Sequence, residues 1–221
     1  MPRLPLHGFA DKLTRAIGAI TAAEIEAAAN DAAELAHGLG ARAVAGGLSL
    51  GATMALGLAQ TGAVDNAVGI APFLMVPLLP RAPGMAVMHL LRRLPNAFMW
   101  WDPRAKENVG PPYAYPGFWT HCLTECTFAG AAIFAAAAKR APASPYCTVV
   151  VNQDDPAINN AAARDLWSLW RARGAGYDYV VWNDVGRRHD IIDPITFPDA
   201  ATLVYPRLAV LLDNVPGAAT T

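Results

Sequence analysis

From Ala43 to Val64 the chain carries no charged residue. That run constrains the fold more than any other feature. As one helix it is long enough to cross a bilayer, and Gly47 and Gly51 make the GxxxG spacing by which membrane helices pack. Five glycines interrupt it, however, at 46, 47, 51, 57 and 62, and few large aliphatic residues accompany them. A different division suits these residues better. It places a short buried strand over 41–46, a tight turn at Gly47-Leu-Ser49-Leu-Gly51, and a small-residue helix over 52–60.

The rest of the composition fits a chain with a large core. Of 221 residues, 54% are hydrophobic and 16% charged, against a usual charged share of roughly 25%. This argues for one domain over residues 1–221 and against intrinsic disorder. The net charge is −1, and no basic stripe appears, so nucleic acid is not an expected partner. The N-terminus has no signal-peptide pattern. Three cysteines, Cys122, Cys126 and Cys147, are too few and odd in number for a disulfide framework and suit the reducing cytoplasm. Cys122 and Cys126 lie beside His121 and Glu125 on a possible helix, but no second ligand pair follows at zinc-site spacing. They read as small apolar residues on a buried face, and neither a metal nor a cofactor is expected.

Hydrophobic periodicity divides the chain into alternating elements. Thr21 with Glu24 makes a capping box for a helix to Leu39, with Ile25, Ala28, Ala32, Leu35 and Leu39 as its apolar stripe. Gly38 and Gly40 are expected to end it in a left-handed turn. A second strand covers 66–71 and stops at Pro72. Residues 73–145 are irregular, with eight prolines between 77 and 116. Aromatic residues gather there: Trp100, Trp101, Tyr113, Tyr115, Phe118 and Trp119. So long an excursion is either a lid insertion or a second layer of core. Strands follow over 146–151 and 177–182, with a helix over 158–173 between them. A last helix covers 203–212, and 216–221 form a loose tail. Strands alternating with helices predict an α/β fold, a parallel sheet with helices on both faces.

Ser49 sits where an apolar strand meets a helix. A serine on such a turn takes a strained backbone with small neighbours, and its hydroxyl is lifted clear of the sheet. The helix N-terminus favours negative charge nearby, and the Leu50 N–H is placed to stabilise an oxyanion. A serine hydroxyl needs a base. Of five histidines, only His189 follows a late strand and precedes the terminal helix. The carboxylate that would orient it lies beyond the strand ending at Val151, where Asp155 is preferred and Asp154 is the second candidate. Asp190 and Asp193 are expected to cap or position the histidine loop. Each residue also has a plainer reading: Ser49 as a turn residue, His189 as a surface histidine, Asp155 as a helix cap.

These pieces resemble an α/β-hydrolase of the bacterial carboxylesterase-like type. The resemblance rests on Arg3-Leu-Pro-Leu-His-Gly8, Gly47-Leu-Ser-Leu-Gly51, Pro111-Pro-Tyr-Ala-Tyr-Pro116, Asn152-Gln-Asp-Asp-Pro-Ala-Ile158 and His189-Asp-Ile-Ile-Asp-Pro194, and covers nearly the whole chain. It implies Ser49 as nucleophile, Asp155 as acid and His189 as base, with 73–145 as the lid. His7-Gly8 is not the family's oxyanion loop on this alignment, because only one helix fits in the 42 residues between His7 and Ser49. The resemblance therefore implies a shortened fold that begins about four strands late, with Leu50 as the remaining oxyanion donor and the strand before Ser49 exposed as an edge.

The expected function is that of a cytoplasmic serine hydrolase that cleaves a small-molecule carboxylic ester through an acyl-enzyme. Thioesters, lactones and amides suit the same residues, and nothing in the sequence specifies the acyl or alcohol group. The rival reading is a catalytically inactive fragment or binding module with a hydrolase-like fold. The exposed edge suggests a homo-oligomer.

Overall fold

The computed structural model describes residues 3–106 and 110–213. The tail expected over 216–221 lies outside the described residues. The elements run α1 (Ala22–Leu39), β1 (Val44–Leu48), α2 (Leu50–Thr61), β2 (Asn66–Ile70), α3 (Arg81–Leu91), β3 (Phe98–Trp100), β4 (Gly117–Trp119), α4 (Thr120–Ala137), β5 (Tyr146–Asn152), α5 (Asn160–Arg171), β6 (Asp178–Trp182) and α6 (Tyr205–Asp213). Four strands form one parallel sheet in the order β1-β2-β5-β6. The short strands β3 and β4 pair separately as an antiparallel hairpin.

Side chains alternate across each strand, so the sheet has two distinct faces. Ala67, Val149 and Val151 pack beneath α1, α2, α4 and α5. Val68, Ile70, Val150 and Trp182 face the other way, toward Val204 and the half-buried leucines of α6. Asn66 ties α6 to this face, its Nδ2 donating to the carbonyls of Leu211 at 2.9 Å and Leu212 at 3.2 Å. Helices thus cover both faces, and no helix among the described residues is long and apolar enough to cross a membrane. The uncharged run is a strand, a turn and a helix; the helix is largely buried, whereas the strand, expected to be buried, lies at the sheet edge with Val44 and Gly46 exposed.

Three local expectations need correction. The first strand occupies 44–48, not 41–46, because parallel pairing with β2 carries the backbone through both glycines to Leu48. The buried face of α1 is Ile25, Ala29 and Ala33, while Leu35 and Leu39 are 63% and 81% exposed. Alanine lets α1 approach α2 and α4, whereas Leu35 turns toward the N-terminal loop. That helix ends at an extended Gly40, φ −166°, rather than in a left-handed turn.

Residues 73–145 divide in two. The hairpin β3–β4 and its flanking loops lie over the edge of the sheet that carries Ser49 and share a cavity with it. The 18-residue α4 packs into the core through Thr124, Ile133, Phe134 and Ala137.

Candidate active site

The turn at Ser49 follows from the close approach of two glycines. A Cβ on Gly47 would lie 2.2 Å from the carbonyl carbon of Gly51, so position 47 admits no side chain. A Cβ on Gly51 would meet nothing within 4 Å. The expectation that both glycines are sterically required therefore holds for Gly47 alone; Gly51 contributes the backbone that Gly47 must clear. Ser49 itself has φ 57° and ψ −116°, a strained conformation for a residue with a side chain, costing on the order of 1–3 kcal/mol. Its backbone is braced on both sides. Its N–H donates to Ile70 O at 3.0 Å, and its carbonyl accepts from Thr53 N at 3.0 Å and Phe73 N at 3.2 Å. Leu50 opens α2, so its N–H is one of the first-turn donors that lack a partner within the helix.

Asp155 and His189 meet. A carboxylate only accepts, so His189 Nδ1 carries the proton it donates to Asp155 Oδ2 at 2.8 Å, leaving Nε2 as the acceptor nitrogen of the neutral ring. The Asp155 side chain is wholly buried and that of His189 is 25% exposed. Asp155 Oδ1 accepts from Ala157 N at 2.8 Å, which fixes the carboxylate plane. Asp155 is not the cap of the following helix. That role belongs to Asn159, whose side chain accepts from Ala162 N. Asp154 is exposed and its N–H donates to Asn152 Oδ1, so it does not reach the imidazole. Asp190 and Asp193 shape the loop beyond His189: Asp190 Oδ1 accepts from Asp193 N at 3.1 Å, and Asp193 Oδ1 from Ile195 N at 2.9 Å.

Ser49, Asp155 and His189 all follow the C-terminal ends of strands, since Leu48, Ile70, Val150 and Val180 lie in register across the sheet. Among the described residues no hydrogen bond joins Ser49 Oγ to His189, although both residues lie at this rim.

A cavity of about 360 Å³ opens at Ser49 and Leu50. Four of the six aromatic residues singled out above line it: Trp101, Tyr115, Phe118 and Trp119. Trp100 and Tyr113 do not. The N-terminal loop closes its other side. Tyr115 Oη accepts from the N–H groups of Gly8 and Phe9, Trp119 Nε1 donates to Thr14 O at 2.8 Å, and Lys12 Nζ donates to Pro112 O. The Gly8 and Phe9 amides are therefore engaged by the tyrosine. His7 also lines the cavity, with Nδ1–H donated to Pro5 O at 2.8 Å. Its place there had no signal in the sequence beyond the His-Gly pair itself.

Cys122 and Cys126 line the cavity from one turn of α4. The Cys126 S–H donates to Cys122, which lowers the Cys122 thiol pKa, and the same bond with burial pushes Cys126 well up. Burial likewise pushes up Cys147. Among the described residues, no three histidine, cysteine or acidic side chains converge as a metal site would require.

The chain matches no family model and no curated protein. Solved structures do match. A lipolytic enzyme from the metagenome-derived pair LipS and LipT superposes with a TM-score of 0.63 at 16% identity, over 94% of this chain and 80% of its own. A monoglyceride lipase of Saccharomyces cerevisiae, in a soluble variant, gives 0.59 at 15%, over 82% and 66%. A monoacylglycerol lipase of Paleococcus ferrophilus gives 0.57 at 16%, over 79% and 69%. The chain thus spans about two thirds of the length of these last two proteins. Likeness at such identity speaks to fold, and the fold is that of the α/β-hydrolases.

Proposed function

We propose that the chain is a serine hydrolase acting on carboxylic esters, with Ser49 as nucleophile, His189 as base and Asp155 as the acid that orients it. The observation that carries this reading is the Asp155–His189 hydrogen bond, made by a buried carboxylate to a partly exposed imidazole, on the same rim as a serine held at φ 57° between a strand and a helix. A turn residue gains nothing from that strain, whereas a nucleophile gains exposure at a helix N-terminus.

In the proposed reaction Ser49 Oγ bonds to the ester carbonyl carbon while its proton passes to His189 Nε2. Asp155 holds the ring and stabilises its positive charge. The Leu50 N–H faces the developing oxyanion. The imidazolium returns the proton to the leaving alkoxide, and an alcohol departs. Water then attacks the acyl-serine, its proton taken by Nε2 and handed back to Ser49 Oγ as the acid is released. The aromatic cavity suits an apolar acyl group. Of the expected 73–145 lid, only the β3–β4 hairpin with Trp101 and Tyr115 beside it would serve as a cover, since α4 packs into the core. The reaction requires Ser49 Oγ within hydrogen-bond reach of His189 Nε2, a contact that in catalytic sites often tightens only in the complex.

A fluorophosphonate probe tests the reading. Labelling at Ser49 is expected, abolished in Ser49→Ala and much slower in His189→Ala. Folded wild-type protein that takes up no probe would instead establish a hydrolase-like fold without catalysis, acting as a binding module.

A further inference from the structure

We propose that Asn152 is a positioning residue whose one side chain sets the Asp155 loop and the His189 loop against each other; its catalytic consequence rests on the triad reading above. Asn152 ends β5 and is fully buried. Its amide makes three hydrogen bonds, and none goes to its own strand. Nδ2 donates to Gly186 O at 2.9 Å and Arg188 O at 2.6 Å. Oδ1 accepts from Asp154 N at 3.1 Å. The first two partners lie three residues and one residue before His189, and the third is the residue before Asp155. One rigid planar group therefore fixes both ends of the 2.8 Å Asp155–His189 contact from outside it.

The chemistry of the position is specific. Two donors and one acceptor are needed at fixed angles, and only a side-chain amide supplies them here. An ionised aspartate keeps the acceptor for Asp154 N–H and loses both donors to the histidine loop. The chain from 183 to 199 forms no regular helix or strand, and Val185 and Ile191 anchor the Gly186–Arg188 stretch only from its flanks. Its other ties are the local Arg188 N–H to Gly186 O bond and the Arg188 guanidinium stacked over Phe197 at 4.1 Å. Without Nδ2, both carbonyls must find water and the imidazole is free to swing from the carboxylate. Misplacement of a catalytic group by about 1 Å costs on the order of 10²-fold in rate. Asn152 is not among the residues lining the cavity at Ser49, so the loss belongs in kcat and not in KM.

The test uses the full chain with Asn152→Ala, Asn152→Asp and Asn152→Ser. The proton on His189 Nδ1 is followed by NMR as a downfield resonance, identified by its absence in His189→Gln. Fluorophosphonate labelling rates are measured across pH, and near-ultraviolet circular dichroism monitors the fold. The expected result is a folded variant that has lost or broadened the resonance and labels about 10²-fold more slowly, with a shifted pH profile. A folded variant lacking the amide that keeps both the resonance and the wild-type labelling rate overturns the proposal. So does unfolding of all three variants, which would make Asn152 a residue of the fold alone. If the wild type takes up no probe, the triad reading fails, while the resonance still decides whether Asn152 sets the pair.

Discussion

At Gly47 and Gly51 the same residue type does two different things, and sequence spacing alone does not separate them. Both were legible as the small neighbours of a strained serine, because the apolar stretch before them and the helix after them are visible in the one-letter pattern. Which of them is sterically forced depends on where α2 crosses β1, and that is a tertiary fact. Gly47→Ala drives a methyl group to 2.2 Å from the Gly51 carbonyl carbon. It is expected to lower stability by about 1–3 kcal/mol as the turn is pushed open, and to abolish probe labelling of Ser49. Gly51→Ala enters open space in the first turn of a helix, where alanine is favoured over glycine by roughly 0.5–1 kcal/mol. It should keep or slightly raise the melting temperature and retain labelling. Thermal melts of the two variants check the contrast, and equal melting temperatures would contradict the geometry. Asp155 shows the same limit. The sequence preferred it over Asp154 without separating the two, and the burial of one with the exposure of the other now supports its proposed role.

Of the helices α5 and α4, the first was readable and the second was not. The helix α5 shows Leu166 and Trp170 inside and Arg164, Asp165 and Arg171 outside, so its 3.6-residue period is plain. The helix α4 lies between α1, α2 and α3. Nearly all round it is apolar or small, which leaves no contrast from which a period could be read. The strap at 111–116 was readable only as a cluster of prolines and tyrosines. Its function emerges from contacts: Tyr115 binds the N-terminal loop, and Tyr113 Oη donates to Asp193 Oδ2 of the histidine loop. The Asp193 carboxylate holds the Tyr113 proton and pushes its pKa up from 10.0 to about 12. The sign follows from linkage: the tie is fully present below the ordinary phenol pKa and is lost as the pH rises through about 12. Phenolate absorbance should therefore show a late-titrating component that shrinks by one tyrosine in Tyr113→Phe, since burial also raises Tyr177 and Tyr179. A normal phenol titration for Tyr113 would mean that the strap and the histidine loop are not joined in solution. If they are joined, the same variant loosens the lid and is expected to raise KM for an ester more than it lowers kcat.

For the whole molecule, the alternation of strands and helices was enough to specify a parallel sheet, and the order β1-β2-β5-β6 places β1 at one edge among the described residues. Ala43 O and Ser49 N–H both bond toward β2. Backbone groups along a strand point alternately to its two sides, so those of Val44, Gly46 and Leu48 point outward, with no strand to receive them. Val44 is 38% exposed beside them. A row of free amides next to apolar side chains is what edge pairing requires, and natural edges commonly guard against it with lysine, proline or a bulge. Residues 44–48 contain none of these charges or prolines. A second copy of the chain, related by a two-fold axis and pairing antiparallel through β1, satisfies both edges with a single contact. We therefore expect sedimentation velocity to show a concentration-dependent dimer. Val44→Lys should shift it toward monomer, because a lysine at this position must lose its hydration in the dimer and not in the monomer. The serine should still take up probe in that monomer, since Val44 lies at the far end of β1 from the turn at Ser49. Wild-type protein that stays monomeric at every concentration, or a Val44→Lys dimer as tight as the wild type, would show that something other than a second β1 meets this edge.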